Sequence, residues 1–267
     1  GYFLSVDWRG GGSVQQQHTQ LAVSTQEGSL LVYAGRDDGH LEAVHHVPSA
    51  HRMMGSNMPA WNVVFDPYSW GQRLLSGGDD MAMKLWDLRQ QPGTACAVSK
   101  AHDAGVTFLK WHPSRAHLFA SGSYDENVRL WDDRQLSRPV AECAVGGGVW
   151  RIKWGSSGGG VVGEGEGERE GDAANLLAVA AMQGGGCVLR ATLGDEGEGA
   201  DAPPARDLCV MQRYDFGTGD TQLNYGTDFL PQKRREGEGE DPGKRQDVSV
   251  VSSSFYDNLV DVWRCDA

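Results

Sequence analysis

Ala120-Ser121-Gly122-Ser123-Tyr124-Asp125, running on to Leu130-Trp131-Asp132, decides the fold, because the same order of residue types stands twice more in the chain. Leu75-Ser76-Gly77-Gly78-Asp79-Asp80 runs on to Leu85-Trp86-Asp87, and Ser252-Ser253-Ser254-Phe255-Tyr256-Asp257 runs on to Val262-Trp263. In each copy an aspartate precedes the tryptophan by six residues, and Trp86 and Trp131 are 45 residues apart. A second pattern precedes the first: a short alternating strand closed by an aromatic, at Ala60 to Phe65, Val106 to Trp111 and Val149 to Trp154. A repeat of this length is one small four-stranded antiparallel sheet. Such a sheet cannot bury both faces alone, so neighbouring copies must cover them.

Outward from these copies the chain shows two weaker units. Phe3 to Trp8 with Leu21 to Tyr33 gives strand, turn and strand, with Gln26-Glu27-Gly28 in place of the aspartate; Leu176 to Arg190 gives another, turning at Gln183 to Gly186. A last unit begins near Leu223 to Phe229 and ends at Trp263. In the best copy, His102, Ser121, Asp125 and Trp131 stand where a buried imidazole, hydroxyl, carboxylate and indole N–H can satisfy one another. The unit resembles a complete WD-repeat blade. The expected fold is therefore all-β: a single WD-repeat β-propeller domain over residues 1–267, with about five blades. Rings of this class commonly have seven, so an N-terminally incomplete ring with upstream blades absent is expected. Glycine- and glutamate-rich filler at about 156–172, 194–206 and 232–247 reads as inserted surface loops, with interaction tails as the alternative. Helix should be scarce, since no stretch sustains an apolar period of 3.6.

Composition excludes several classes. The 267 residues carry a formal charge of −12, which disfavours a nucleic-acid binder lacking any basic face. The longest uninterrupted apolar run, Leu176 to Met182, is far short of a membrane span. Five scattered cysteines with no C-x-x-C pair indicate neither a disulfide framework nor a zinc knuckle, and fit a reducing, cytoplasmic setting. No cofactor or metal is expected. His45, His46 and His51 lie close together without supporting ligands and read as a polar loop. Gly155-Ser156-Ser157-Gly158-Gly159 matches G-x-S-x-G, and the glycines from Gly158 to Gly163 match G-x-G-x-x-G, but neither has the strand-to-helix context its chemistry needs. His102, Ser121 and Asp125 are read as blade structure, not as a serine triad, and Asp80 and Asp257 are assigned to structure likewise.

Some segments are more specific than a generic blade. Gly147-Gly148-Val149-Trp150-Arg151-Ile152-Lys153-Trp154, Tyr225-Gly226-Thr227-Asp228-Phe229 and Ser254-Phe255-Tyr256-Asp257, with the two Trp-Asp copies ending in Arg89 and Arg134, resemble the WD-repeat diphthine methylesterase family from about Trp61 onward. The resemblance implies hydrolysis of the methyl ester of methylated diphthine on translation elongation factor 2, the implied partner, during diphthamide biosynthesis. Two non-catalytic readings share the fold: a WD-repeat scaffold and a ubiquitin-ligase substrate adaptor.

Aligning the inner strands on Phe65, Trp111, Trp154 and Phe229 places Trp61, Thr107, Trp150 and Tyr225 four residues earlier. Three of the four are aromatic, at the end of the strand where blades converge. They suit either a cage for the trimethylammonium of diphthine or packing between blades. Tyr124 and Tyr256, at equivalent turns, and Asp79 complete the candidate substrate-binding set. Glu126 or Asp228 is the candidate base that activates water, and Arg151 the candidate donor to the carboxyl or oxyanion; each of these also suits a solvated turn.

Overall fold

The computed structural model describes residues 1–9, 19–90, 93–155, 172–194, 204–215, 223–230, 247–254 and 259–266. Five antiparallel sheets follow one another along the chain, each built from consecutive strands. The first contains β1 (Phe3–Arg9), β2 (Gln20–Thr25), β3 (Leu30–Gly35) and β4 (Leu41–Val47). A small hairpin, β5 (Arg52–Met53) and β6 (Ser56–Asn57), leads to the second: β7 (Ala60–Phe65), β8 (Arg73–Gly78), β9 (Met83–Asp87) and β10 (Ala97–Ser99). The third is β11 (Val106–Trp111), β12 (Leu118–Ser123), β13 (Asn127–Asp132) and β14 (Ala141–Ala144). The fourth is β15 (Val149–Trp154), β16 (Leu176–Ala181), β17 (Gly185–Leu193) and β18 (Ala205–Tyr214). The fifth has three described strands, β19 (Asn224–Phe229), β20 (Asp247–Ser254) and β21 (Leu259–Asp266). One 3₁₀ turn, Asp172–Asn175, is the only helical element among the described residues, and no helix is long and apolar enough to cross a membrane.

The core is divided as stacked sheets require. Four apolar layers fill the four gaps between successive sheets. Ala22 and Val32 meet Val63 and Leu74; Val64 and Leu85 meet Leu109 and Phe119; Leu118 and Val128 meet Ile152 and Leu177; Leu176 and Val188 meet Val250 and Trp263. The second, third and fourth sheets thus bury both faces only through their neighbours, while the first and fifth are each covered on one face, which is why the repeat, and not any single sheet, is the unit of stability.

The expected tetrad is present in the third sheet. His102 Nδ1 lies 2.8 Å from Asp125 and its Nε2 2.7 Å from Ser121 Oγ, which also accepts from Trp131 Nε1 at 2.7 Å. The second sheet holds the same arrangement with His51: 2.6 Å to Asp80, 2.8 Å to Ser76 Oγ, and Trp86 Nε1 donating to that hydroxyl at 2.9 Å. His51 is therefore a fully buried structural residue and not part of a polar loop, and His45 and His46 lie on β4. Burial favours a neutral imidazole and pushes His51 below its usual range. Burial would raise the Asp80 carboxyl, but the His51 hydrogen bond and the Lys84 ammonium outweigh it and hold Asp80 at about 2. In the fifth sheet Trp263 Nε1 donates to Ser252 Oγ at 3.1 Å.

The filler segments fall almost wholly outside the described residues. At their expected edges, Asp172 opens the 3₁₀ turn, Asp247 opens β20, and Ala205 and Arg206 belong to β18, where Ala205 pairs with Leu193 and is buried.

Candidate functional site

One irregularity recurs in all five sheets. The first strand of each breaks register with its partner at its second residue, between Phe3 and Ser5, Ala60 and Asn62, Val106 and Phe108, Val149 and Arg151, and Asn224 and Gly226. The residues skipped are Leu4, Trp61, Thr107, Trp150 and Tyr225. A bulge leaves its extra residue out of the ladder and re-aims its side chain. The sequence alignment found four of these positions without indicating the bulge that frees them.

The freed rings meet. Trp61, on the second sheet, packs edge-on against Trp150, on the fourth, with centroids 5.9 Å apart. Contact between alternate sheets requires their side chains to converge over the third, and there the equivalent residue is the small Thr107. Thr107 is buried, its hydroxyl donating to the Gly122 carbonyl at 3.0 Å and also bonded to the Val149 carbonyl. Tyr124, from the β12–β13 turn, completes the group at 6.1 Å from Trp61 and 6.2 Å from Trp150, and Tyr225 lies edge-on to Trp150 at 5.5 Å. All four rings are half-buried. Because they touch one another, they form a continuous aromatic floor whose outer faces remain partly open to solvent.

The backbone around Tyr124 is glycine for a steric reason. A Cβ on Gly148 would sit 3.1 Å from the Tyr124 ring and from Met182 Sδ, and one on Gly105 would sit 2.6 Å from Asp79 Oδ1. Asp79 fixes the edge of the floor: Trp61 Nε1 donates to its Oδ1 at 3.0 Å. Burial, then the nearby Asp79 charge and Tyr225, push the Tyr124 hydroxyl up to about 12, so it stays protonated at neutral pH.

The acid–base candidates are less closely assembled. Arg151 stacks its guanidinium over Phe108 at 5.2 Å and over Trp150 at 5.5 Å, and donates from Nη1 to the Trp150 carbonyl at 3.0 Å. Desolvation against these rings lowers its pKa from the usual arginine value. Asp228 pairs with Lys153 at 3.3 Å, and its Oδ1 accepts from the Phe229 N–H at 2.8 Å. Glu126 occupies the β12–β13 turn in a left-handed conformation (φ 66°), exposed, with no partner for its carboxylate among the described residues. Tyr256 and Asp257 lie outside the described residues. No group of three or more His, Cys, Asp or Glu among the described residues could hold a metal ion.

Comparison with known proteins agrees with this architecture. The sequence model of the family "WD domain, G-beta repeat" matches residues 93–132, which contain most of the third sheet. The chain is 38% identical over 154 residues to the diphthine methyltransferase of Mus musculus, covering 57% of this chain and 31% of that protein. The Homo sapiens diphthine methyltransferase is likewise 38% identical over 154 residues, covering 57% of this chain and 32% of the relative. A diphthine methyltransferase homolog of Dictyostelium discoideum is 33% identical over 162 residues, covering 57% and 41%. The matched segment thus spans about a third of the mouse and human relatives. Among solved structures, a chain of a mitotic checkpoint complex superposes with a TM-score of 0.58 at 15% identity, covering 92% of this chain and 60% of that one, a likeness of fold alone. The repeated sheets, the two complete tetrads and the matched repeat together give the chain a WD-repeat β-propeller fold, with sequence similarity over 57% of its length to proteins named diphthine methyltransferase.

Proposed function

We propose that this chain supplies the substrate-recognition face of an enzyme that hydrolyses the methyl ester of methylated diphthine on translation elongation factor 2. The observation that carries the reading is the aromatic floor of Trp61, Tyr124, Trp150 and Tyr225, bordered by Asp79. A quaternary ammonium has no N–H to donate and is held by ring faces and nearby negative charge, which is what this end of the sheets offers. The relatives named for diphthine support that substrate class.

In the reaction water adds to the ester carbonyl and methanol leaves, so the protein must take a proton from water and stabilise the oxyanion. Arg151 borders the floor through Trp150 and is the donor suited to the oxyanion or the neighbouring carboxylate. Glu126 and Asp228 are the carboxylates available as base. Asp228 would have to exchange its Lys153 partner for water to act.

That ion pair favours one second reading: a non-catalytic propeller that presents the aromatic floor to a modified protein. One assay separates the two. The full-length protein is incubated with elongation factor carrying methylated diphthine, and the modified peptide is weighed by mass spectrometry. Loss of one methyl supports the esterase. Retention of the methyl, with binding intact, refutes it and leaves the scaffold.

A further inference from the structure

The aromatic floor contains a polar atom that its own packing does not use. Trp61 commits its Nε1 to Asp79 Oδ1 at 3.0 Å. The Tyr124 hydroxyl, by contrast, has no hydrogen-bond partner among the described residues, although its half-buried ring stands against both Trp61 and Trp150, at 6.1 and 6.2 Å.

The ring is held in place by backbone. Tyr124 N–H donates to the Gly105 carbonyl at 3.0 Å, tying the β12–β13 turn to the entry of its own sheet. Both Cδ edges of the ring then face glycine: a Cβ on Gly105 would lie 3.3 Å from Cδ2, and one on Gly148 would lie 3.1 Å from Cδ1. Gly105 leads into β11 and Gly148 into β15, so the ring is wedged between the entries of the third and fourth sheets. It has little room to swing, and the hydroxyl it carries is set in position before any ligand arrives. A donor that need not reorganise is the kind that lowers a barrier.

The hydroxyl also keeps its proton. Burial, Asp79 and Tyr225 hold it at about 12, which makes it a poor base for water and a lasting donor at neutral pH. The substrate would bring an acceptor to the same place. Diphthine is an α-trimethylammonio acid, so in its methyl ester the quaternary nitrogen and the carbonyl share one carbon. An ammonium seated on the rings therefore leaves the carbonyl oxygen beside them.

We propose that the Tyr124 hydroxyl donates a hydrogen bond to the ester carbonyl oxygen as it becomes an oxyanion, alongside Arg151. This role rests on the esterase reading and gives Tyr124 a catalytic part beyond its ring. A water oxygen bonds to the carbonyl carbon, its proton passes to the base, and the carbonyl electron pair moves to the oxygen that Tyr124 holds. The pair then returns, the bond to the methoxy oxygen breaks, and methanol leaves with the proton from the base. Tyr124 keeps its own proton throughout.

The test uses the full-length protein as wild type, as Tyr124→Phe, which removes only the hydroxyl, and as Tyr124→Leu, which removes the ring as well. Affinity for a trimethyllysine peptide is read by calorimetry. Turnover of elongation factor carrying methylated diphthine, at saturating substrate, is read by mass spectrometry. Tyr124→Phe is expected to bind the peptide within about twofold of wild type and to turn over about 10²–10³-fold more slowly, the loss that follows removal of one oxyanion donor. Tyr124→Leu should weaken both. Turnover by Tyr124→Phe within about threefold of wild type, or a loss of binding that matches its loss of rate, would overturn this role while leaving the esterase reading intact. No turnover by the wild type would overturn the esterase reading and this role with it.

Discussion

Ser121→Ala tests the bond network that defines a blade. Ser121 Oγ accepts from Trp131 Nε1 at 2.7 Å and lies 2.7 Å from His102 Nε2, and both Ser121 and Trp131 are completely buried. Removing the hydroxyl deprives two buried polar atoms of a partner at once. Leaving a buried group unsatisfied costs about 1–3 kcal/mol, so the expected loss for two is about 2–6 kcal/mol. For a domain of this size that lowers the melting temperature by roughly 2–4 °C per kcal/mol. Trp131→Phe keeps the ring and removes the indole donor, so Ser121→Ala made in that background should cost about 1 kcal/mol less. Chemical denaturation of the four proteins in this cycle measures both numbers. A cost for Ser121→Ala under about 0.5 kcal/mol, or an identical cost in both backgrounds, would refute the view that the tetrad, and not the surrounding packing, locks the sheet.

Other substitutions address the floor and the interior. Trp150→Leu should weaken binding of a trimethylated peptide roughly tenfold while the fold persists, because one ring face for the cation is lost; calorimetric titration reads this. Asp79→Asn retains an acceptor for Trp61 Nε1 but not the charge, whereas Asp79→Leu removes both. Weaker binding in both variants assigns Asp79 to electrostatics, and in the leucine variant alone to holding the Trp61 ring. Burial, then Arg115, push His112 down to about 4, and its Nδ1 accepts the backbone N–H groups of Ser114 (3.2 Å) and Arg115 (3.0 Å). The unfolded chain, with a histidine near 6.5, takes up this proton first. Stability should therefore be complete above about pH 6.5 and fall toward pH 4, by up to about 3 kcal/mol, a slope that His112→Asn reduces.

The third sheet was fully legible in the sequence because His102, Ser121, Asp125 and Trp131 all stand at repeat distances. His51 was missed because it lies 29 residues before Asp80, against 23 between His102 and Asp125. Five of the six extra residues precede β7, where the β5–β6 hairpin lies, and the sixth is in the β7–β8 turn, so the tetrad geometry is unchanged. Period and residue type place Trp61, Trp150 and Tyr225 at equivalent positions, and the structure brings Trp150 against both of the others. What period alone did not show is how closely the rings touch. That depends on Thr107 being small and on Tyr124 reaching both Trp61 and Trp150, which are matters of side-chain volume. Asp228 was a candidate base, but the first strand of the neighbouring sheet supplies Lys153 as its partner, and pairing between sheets has no local signature.

The register break at the second residue of every inner strand separates two kinds of constraint on the chain. Residues in the ladder must satisfy both a hydrogen-bonding neighbour and an apolar layer, so they can change only within narrow limits. The bulged residue stands outside the ladder, and Leu, Trp, Thr, Trp and Tyr occupy it in turn without altering the pairing around it. Selection can therefore re-equip this position, one spoke at a time, while the scaffold that carries it stays the same.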